Sequence, residues 1–263
     1  MAFINRDGVQ IYYDIQGPEG ALPLLLSHGH AAATQMWAAQ VEALKEKFRI
    51  ITWDLRGHGR SDCPTDQALY TVEHTVDDIA AILDACHIDK AVIGGHSLGG
   101  VMTFQFQLKY PQRMLAMIIL NSGPGFRSDT ARDKWNLGCE RTASSLARKG
   151  LAALSKSEEV HAEWHSDVWG LIHSARGFMT HEDARMIDNL SNIDVPVLVL
   201  VGAQDEEFLG AADYMARKIP VVEKVLIDNA GHAANLDQPE IFNSLLMTFL
   251  EQLQNRDGVK RSG

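Results

Sequence analysis

A chain of 263 residues with 46% hydrophobic and 22% charged residues can bury a sizeable core without a disulfide or metal staple, which excludes the disordered and fibrous classes. A formal net charge of −10 argues against nucleic acid or an anionic membrane surface as partner, because both reward clustered Lys and Arg. Cys63, Cys86 and Cys139 are odd in number and lack metal-ligand spacing, so they read as free thiols in a reducing compartment.

The start, Met1 to Asp7, has neither the basic residues nor the apolar stretch of a secretory signal, and a cytoplasmic location is expected. Val9 to Asp14 alternates loosely, as in an antiparallel edge strand, and Gly17-Pro18 ends it. Pro23 to Ser27 is a continuous apolar run suited to a strand covered on both faces, and His28-Gly29-His30 forms a loop after it. Thr34 to Lys47 has helical spacing, and Phe48 to Trp53 returns to strand character. Thr71 can cap a helix presenting Val72, Val76, Ile79, Ile82 and Leu83, with Cys86 as a small core residue, ahead of a strand at Ala91 to Gly94. A helix from Leu98 to about Tyr110 stops before Pro111, and Met114 to Leu120 is again a strand. This alternation predicts an α/β, doubly wound, mostly parallel sheet with helices on both faces.

Between Asn121 and Ile193 helical spacing dominates, and Trp135, Trp164 and Trp169 appear. The stretch reads as an inserted helical cap, giving a core of residues 1–121 and 193–263 and a cap of residues 122–192. Val195 to Val201 resumes the buried-strand pattern, Leu209 to Ile219 is helical, Val222 to Ile227 is a strand and Pro239 to Leu253 is amphipathic. Asn255 to Gly263 is polar and reads as a frayed tail. The apolar runs are far short of the ~18 residues a membrane span requires.

Gly95-His96-Ser97-Leu98-Gly99 follows a strand and opens a helix, the context in which Gly-x-Ser-x-Gly carries chemistry. A serine at such a turn is held in a strained backbone conformation that exposes its hydroxyl, and the helix N-terminus offers unpaired amides to developing negative charge. The Leu98 amide is one such donor. A bare glycine-rich turn would look the same, so two further residues decide the matter. His232 lies in the loop after the last strand and before the last helix, where an imidazole can take the serine proton near neutral pH. Asp205 comes first after the Val195 to Val201 strand, ahead of its competitors Glu206 and Glu207, and can orient that imidazole. The order serine, acid, histidine is the order of the α/β-hydrolases.

On these motifs the chain resembles the α/β-hydrolase fold superfamily over nearly its whole length, in particular its enol-lactonase-like and carboxylesterase-like members. The resemblance implies an eight-stranded, mostly parallel sheet with the cap inserted after the sixth strand. It also implies that His28-Gly29-His30 is the oxyanion loop, with the His30 amide as second donor beside Leu98. Asp54 to Asp62 is very like a structural loop of the family beside the active site. In some relatives the acid follows the sixth strand, but here that region offers Asn121. Relatives that dehalogenate or open epoxides use an aspartate nucleophile, which Ser97 disfavours.

Cap side chains commonly roof the pocket in this family, so Trp135, Trp164, Trp169 and Met179 are candidate substrate contacts, as are Leu171 and Phe178. His161, His165, His173 and His181 invite a metal, the first two at i, i+4 spacing, but without an accompanying carboxylate cluster they read as a solvated helix face, and no metal is predicted. No phosphate loop or dinucleotide pattern implies an organic cofactor. The expectation is a serine hydrolase acting on a small-molecule ester or lactone, without nucleic-acid or membrane partners, with a homodimer left open. A carbon–carbon hydrolase of diketo acids and a non-catalytic small-molecule receptor are the rivals.

Overall fold

The computed structural model describes residues 2–154 and 157–261, with side chains described to residue 255. The strands are β1 (Ala2–Arg6), β2 (Val9–Gln16), β3 (Pro23–Ser27), β4 (Arg49–Trp53), β5 (Ala91–His96), β6 (Met114–Leu120), β7 (Val197–Gly202) and β8 (Val222–Ile227). They form one eight-stranded sheet in the order β1-β2-β4-β3-β5-β6-β7-β8. The β1–β2 and β2–β4 pairs are antiparallel and all later pairs are parallel. The expected fold class is therefore observed, with one correction at its edge. Val9 to Asp14 is not the edge strand, because β1 pairs outside it through the Asp7-Gly8 turn, where both residues have positive φ (54° and 87°). An Asp-Gly pair in that conformation matches the twist of a two-residue hairpin.

Side chains alternate between two cores because successive residues of a strand point to opposite faces. Leu25, Ile93, Met117, Ile119, Val197 and Val199 face helices α2 (Val72–Ala85), α3 (Leu98–Lys109) and α7 (Glu206–Lys218). Leu24, Leu26, Val92, Ile118, Leu198 and Leu200 face the other side, where α1 (Ala38–Leu44), the short α8 (Ala234–Asp237) and α9 (Pro239–Arg261) pack. Burial on both faces explains why the central strands read as unbroken apolar runs. Thr71 does cap α2, its Oγ1 accepting from the His74 amide at 3.1 Å. The backbone of α9 runs to Arg261, so the expected tail is helical as far as it is described; residues 262 and 263 lie outside the described residues. Gly258 lowers helix propensity without the clash a proline would bring, so the helix continues past it.

Between β6 and β7 the chain is helical, with α4 (Asp129–Lys149), α5 (Val168–Arg176) and α6 (Arg185–Asp188). Ala143 and Leu146 of α4 meet Leu171, Ile172 and Ala175 of α5 in a small separate core that also takes in Ala31. His161 and His165 do not share an α-helix: a short 3-10 turn, Ala162–Trp164, separates them. His161 packs on Trp164, while His165 is buried, its ring bonded to the Ala31 carbonyl at 2.8 Å and the Gly59 amide at 3.2 Å. The expected solvated face is therefore not one surface: His165 and His181 are buried, while His161 and His173 stay part exposed. Among the described residues no group of three or more His, Cys, Asp or Glu is disposed to hold a metal, and no helix is long and apolar enough to cross a membrane.

The Asp54 to Asp62 loop is scaffold in its bonding. Asp54 is fully buried and accepts from the amides of Thr34 (2.7 Å) and Arg60 (2.9 Å). Arg56 forms a two-pronged pair with Asp78 of α2, both contacts 2.8 Å and both side chains buried. Removing one partner of such a pair strands the other charge. Asp78→Ala is expected to cost about 3–5 kcal/mol in urea unfolding, with much of the loss recovered when Arg56→Met is added. A loss below 1 kcal/mol in the single variant would contradict this.

Candidate active site

Strand β5 delivers the chain to Ser97, which turns it sharply into α3 at φ 51° and ψ −115°. That region favours glycine, so a serine there is strained by about 1–3 kcal/mol. The flanking glycines allow the turn. A Cβ on Gly99 would stand 2.2 Å from the Ser27 carbonyl oxygen, and one on Gly95 would stand 2.2 Å from the Gly99 carbonyl carbon. Two backbone bonds hold the turn: the Ser97 amide donates to Leu120 O (2.9 Å), and the Ser122 hydroxyl donates to Ser97 O (2.7 Å). Leu98 is the first residue of α3, so its amide has no intrahelical acceptor and lies beside the serine.

Asp205 follows β7 and precedes α7, and His232 lies in the loop after β8. His232 Nδ1 bonds Asp205 Oδ2 at 2.9 Å. The same oxygen accepts from Asn121 Nδ2 at 2.6 Å, and that amide also donates to Gly231 O at 3.0 Å, fixing the histidine loop. Burial alone would raise the Asp205 carboxyl, but the bonds from His232 and Asn121 outweigh it and hold the group below the usual carboxylate range. Asp205 is therefore anionic at neutral pH. Asn121, just past the end of β6, thus braces Asp205 from the neighbouring strand. Phe208 stacks on the His232 ring (centroids 5.3 Å apart), and fully buried His96 donates from Nε2 to the His232 carbonyl at 2.7 Å. The residue before Ser97 thereby clasps the backbone of His232.

A cavity of about 240 Å³ opens onto Ser97 and Leu98 and is walled by His30, Val101, Phe126, Trp135, Met179, His181 and Phe208, among others. Of the four candidate cap contacts, Trp135 and Met179 line it, linked by a bond from Trp135 Nε1 to Met179 O at 2.9 Å. Trp164 and Trp169 do not: Trp164 packs on His161, and Trp169 is half exposed beside His173. Both lie in the Ala162–Arg176 stretch, which turns its inner side to the Gly57–Gly59 loop rather than to Ser97. Leu171 and Phe178 are buried core residues. Phe126, Ser122 and Phe208 were not singled out by sequence, since each sits where no motif or periodicity marks it, and His181 was marked only as one of four histidines weighed for a metal, not as a pocket residue.

Histidines crowd this region in neutral form. Burial pushes His28, His30 and His181 down to about 4 and His96 to about 3. Unfolded, each would titrate near 6.5. Between those values the unfolded chain binds more protons, so stability is full above about pH 6.5 and falls as pH drops toward 4, at up to ~1.4 kcal/mol per pH unit per histidine. Urea melts at pH 7.5 and 5.0 are expected to differ by about 4 kcal/mol or more. Equal midpoints and slopes would contradict neutral burial.

A family profile described as the alpha/beta hydrolase fold matches residues 23–239, and the chain belongs to that family. Among curated relatives, 3-oxoadipate enol-lactonase 1 of Acinetobacter baylyi is 28% identical, over 95% of this chain and 96% of the relative. A putative 2-succinyl-6-hydroxy-2,4-cyclohexadiene-1-carboxylate synthase of Bacillus subtilis is 27% identical over 94% and 97%. Among solved structures, a thermophilic esterase from Thermogutta terrifontis superposes with a TM-score of 0.79 at 28% identity, covering 93% of this chain and 94% of that one.

Proposed function

We propose that the protein is a serine hydrolase that cleaves a small carboxylic ester or lactone through an acyl-enzyme. The observation that carries this reading is the Asp205–His232 bond, together with a strained Ser97 whose preceding residue, His96, clasps the His232 backbone. Ser97 Oγ attacks the substrate carbonyl while His232 takes its proton, and the Asp205 carboxylate stabilises the imidazolium and fixes its tautomer. The amides of Leu98 and His30 receive the oxyanion. Collapse of the tetrahedral species expels the alcohol, protonated by His232. Water, activated by the same imidazole, then releases the acid. The esterase and the enol-lactonase among the similar proteins support this chemistry class.

The test is turnover of p-nitrophenyl esters, simple lactones and a vinylogous diketo acid by purified protein. Ester or lactone turnover with a burst of p-nitrophenol at high enzyme concentration is expected. Efficient turnover of the diketo acid alone would favour carbon–carbon cleavage, and turnover of none would favour a binding role.

A further inference from the structure

Five histidines, His28, His58, His96, His165 and His181, are more than nine-tenths buried, with His30 part-buried beside them, and all but one of the six are tied by a ring nitrogen. His28 bonds through both nitrogens, to Gly29 O and the Leu55 amide. His30 donates to Leu171 O, His58 to Arg56 O and His96 to His232 O, while His165 uses both nitrogens. His181 is 95% buried, yet among the described residues its ring makes no hydrogen bond, and Nδ1 is shut away without a partner. Burying a polar ring unsatisfied is costly, and a site that keeps one has a use for it.

The surroundings hold this ring in place rather than satisfy it. Asn136 grips the backbone on both sides, its Oδ1 accepting from the His181 amide (2.8 Å) and its Nδ2 donating to the His181 carbonyl (2.9 Å). Trp135 and Phe126 frame the imidazole with centroids 5.4 and 5.8 Å away. Gly125, at φ 79°, closes the Nδ1 edge, where a Cβ would stand 3.3 Å from that nitrogen, so Nε2 is the ring nitrogen left open to a ligand. His181, Trp135, Phe126 and Gly125 all line the cavity that holds Ser97. A fixed imidazole in a wall shared with Phe126, Trp135, Met179 and Phe208 is a hydrogen-bonding point, beside Ser122 and Glu207, for whatever fills that cavity.

Its charge state defines the chemistry. Burial, reinforced by Arg132, keeps the ring neutral at pH 7 against the opposing pull of Asp183. Among the described lining residues none is Lys or Arg, and Glu207 stands at the cavity. A carboxylate would meet no cation there and one anion. Resting on the serine-hydrolase reading, we infer that His181 is the specificity-determining residue of the acyl pocket. It hydrogen bonds an uncharged oxygen, a hydroxyl or ketone, carried on the acyl chain of the substrate. The preferred substrate is then an oxygenated, non-acidic ester or lactone rather than a plain alkyl ester or a dicarboxylate.

The experiment compares p-nitrophenyl esters of plain C4–C7 acids with the same chains bearing one oxo or hydroxyl group at each carbon beyond C2. In the native protein at least one oxygenated ester is expected to exceed its plain parent about tenfold or more in kcat/KM. In His181→Phe, which keeps the ring volume, that ratio is expected to fall to about 1, and in His181→Gln, which keeps hydrogen bonding, to recover in part. Oxygenated and plain esters turned over alike by the native protein, or a ratio that survives His181→Phe, would overturn the inference. If the native protein hydrolyses no ester, the hydrolase reading fails separately. The same ligands are then measured by calorimetry against Ser97→Ala and Ser97→Ala/His181→Phe. A tenfold affinity preference present in the first and lost in the second upholds the role of His181, and equal preferences overturn it.

Discussion

Ser97→Ala is expected to lower kcat/KM for p-nitrophenyl butyrate by about 10⁴- to 10⁶-fold while leaving the fold intact, since in the proposed mechanism the hydroxyl is the attacking group and no other side chain takes its place. The same position offers a second readout. Ser97 sits at φ 51° and ψ −115°, so alanine inherits the strain and glycine relieves it. Glycine gives back about 0.5–1 kcal/mol through its more flexible unfolded chain, and about 1 kcal/mol of net stabilisation is expected for Ser97→Gly. A variant both inactive and more stable than the native protein would show that the strain is maintained for the hydroxyl's sake. A Ser97→Gly variant that loses stability would mean the turn is not strained.

Asp205→Ala is expected to cost about 10⁴-fold in kcat/KM for the same ester, because His232 Nδ1 loses the anion that in the proposed mechanism sets its tautomer and stabilises its cation. Asp205→Asn is expected to retain more activity than alanine for a reason specific to this site. Two donors, His232 Nδ1 and Asn121 Nδ2, converge on the single oxygen Oδ2. An asparagine at 205 is therefore driven to place its carbonyl oxygen there, which preserves the tautomer and removes only the charge. Steady-state kinetics of the two variants checks this: activity in the order native, Asn, Ala is expected, and native-like rates in either variant would remove Asp205 from the machinery.

Much of this was legible in the sequence because position, rather than residue type, marks the groups. Among eleven histidines, His232 is distinguished by lying after the last strand, and Asp205 by coming first after β7. The central strands were legible because both faces are covered, which leaves an apolar run. Strand β1 was not, since five half-exposed residues carry little pattern and the only cue is the Asp7-Gly8 pair. Beyond Ser97, Leu98 and His30, the cavity wall was legible only at Trp135 and Met179. Phe126, His181 and Phe208 come from three separate segments, and which face of the cap meets Ser97 depends on how α4 and α5 pack, as the outward placement of Trp169 demonstrates. The clasp of His96 on the His232 carbonyl was hidden in the variable position of the serine motif.

Mass spectrometry of the protein after exposure to a fluorophosphonate probes the serine–histidine–aspartate assembly most directly. One adduct per chain is predicted, mapped to the peptide containing Ser97, absent in Ser97→Ala and formed far more slowly in His232→Ala. Folded protein that takes up no label, or that is labelled at another residue with Ser97 free, would contradict the assignment.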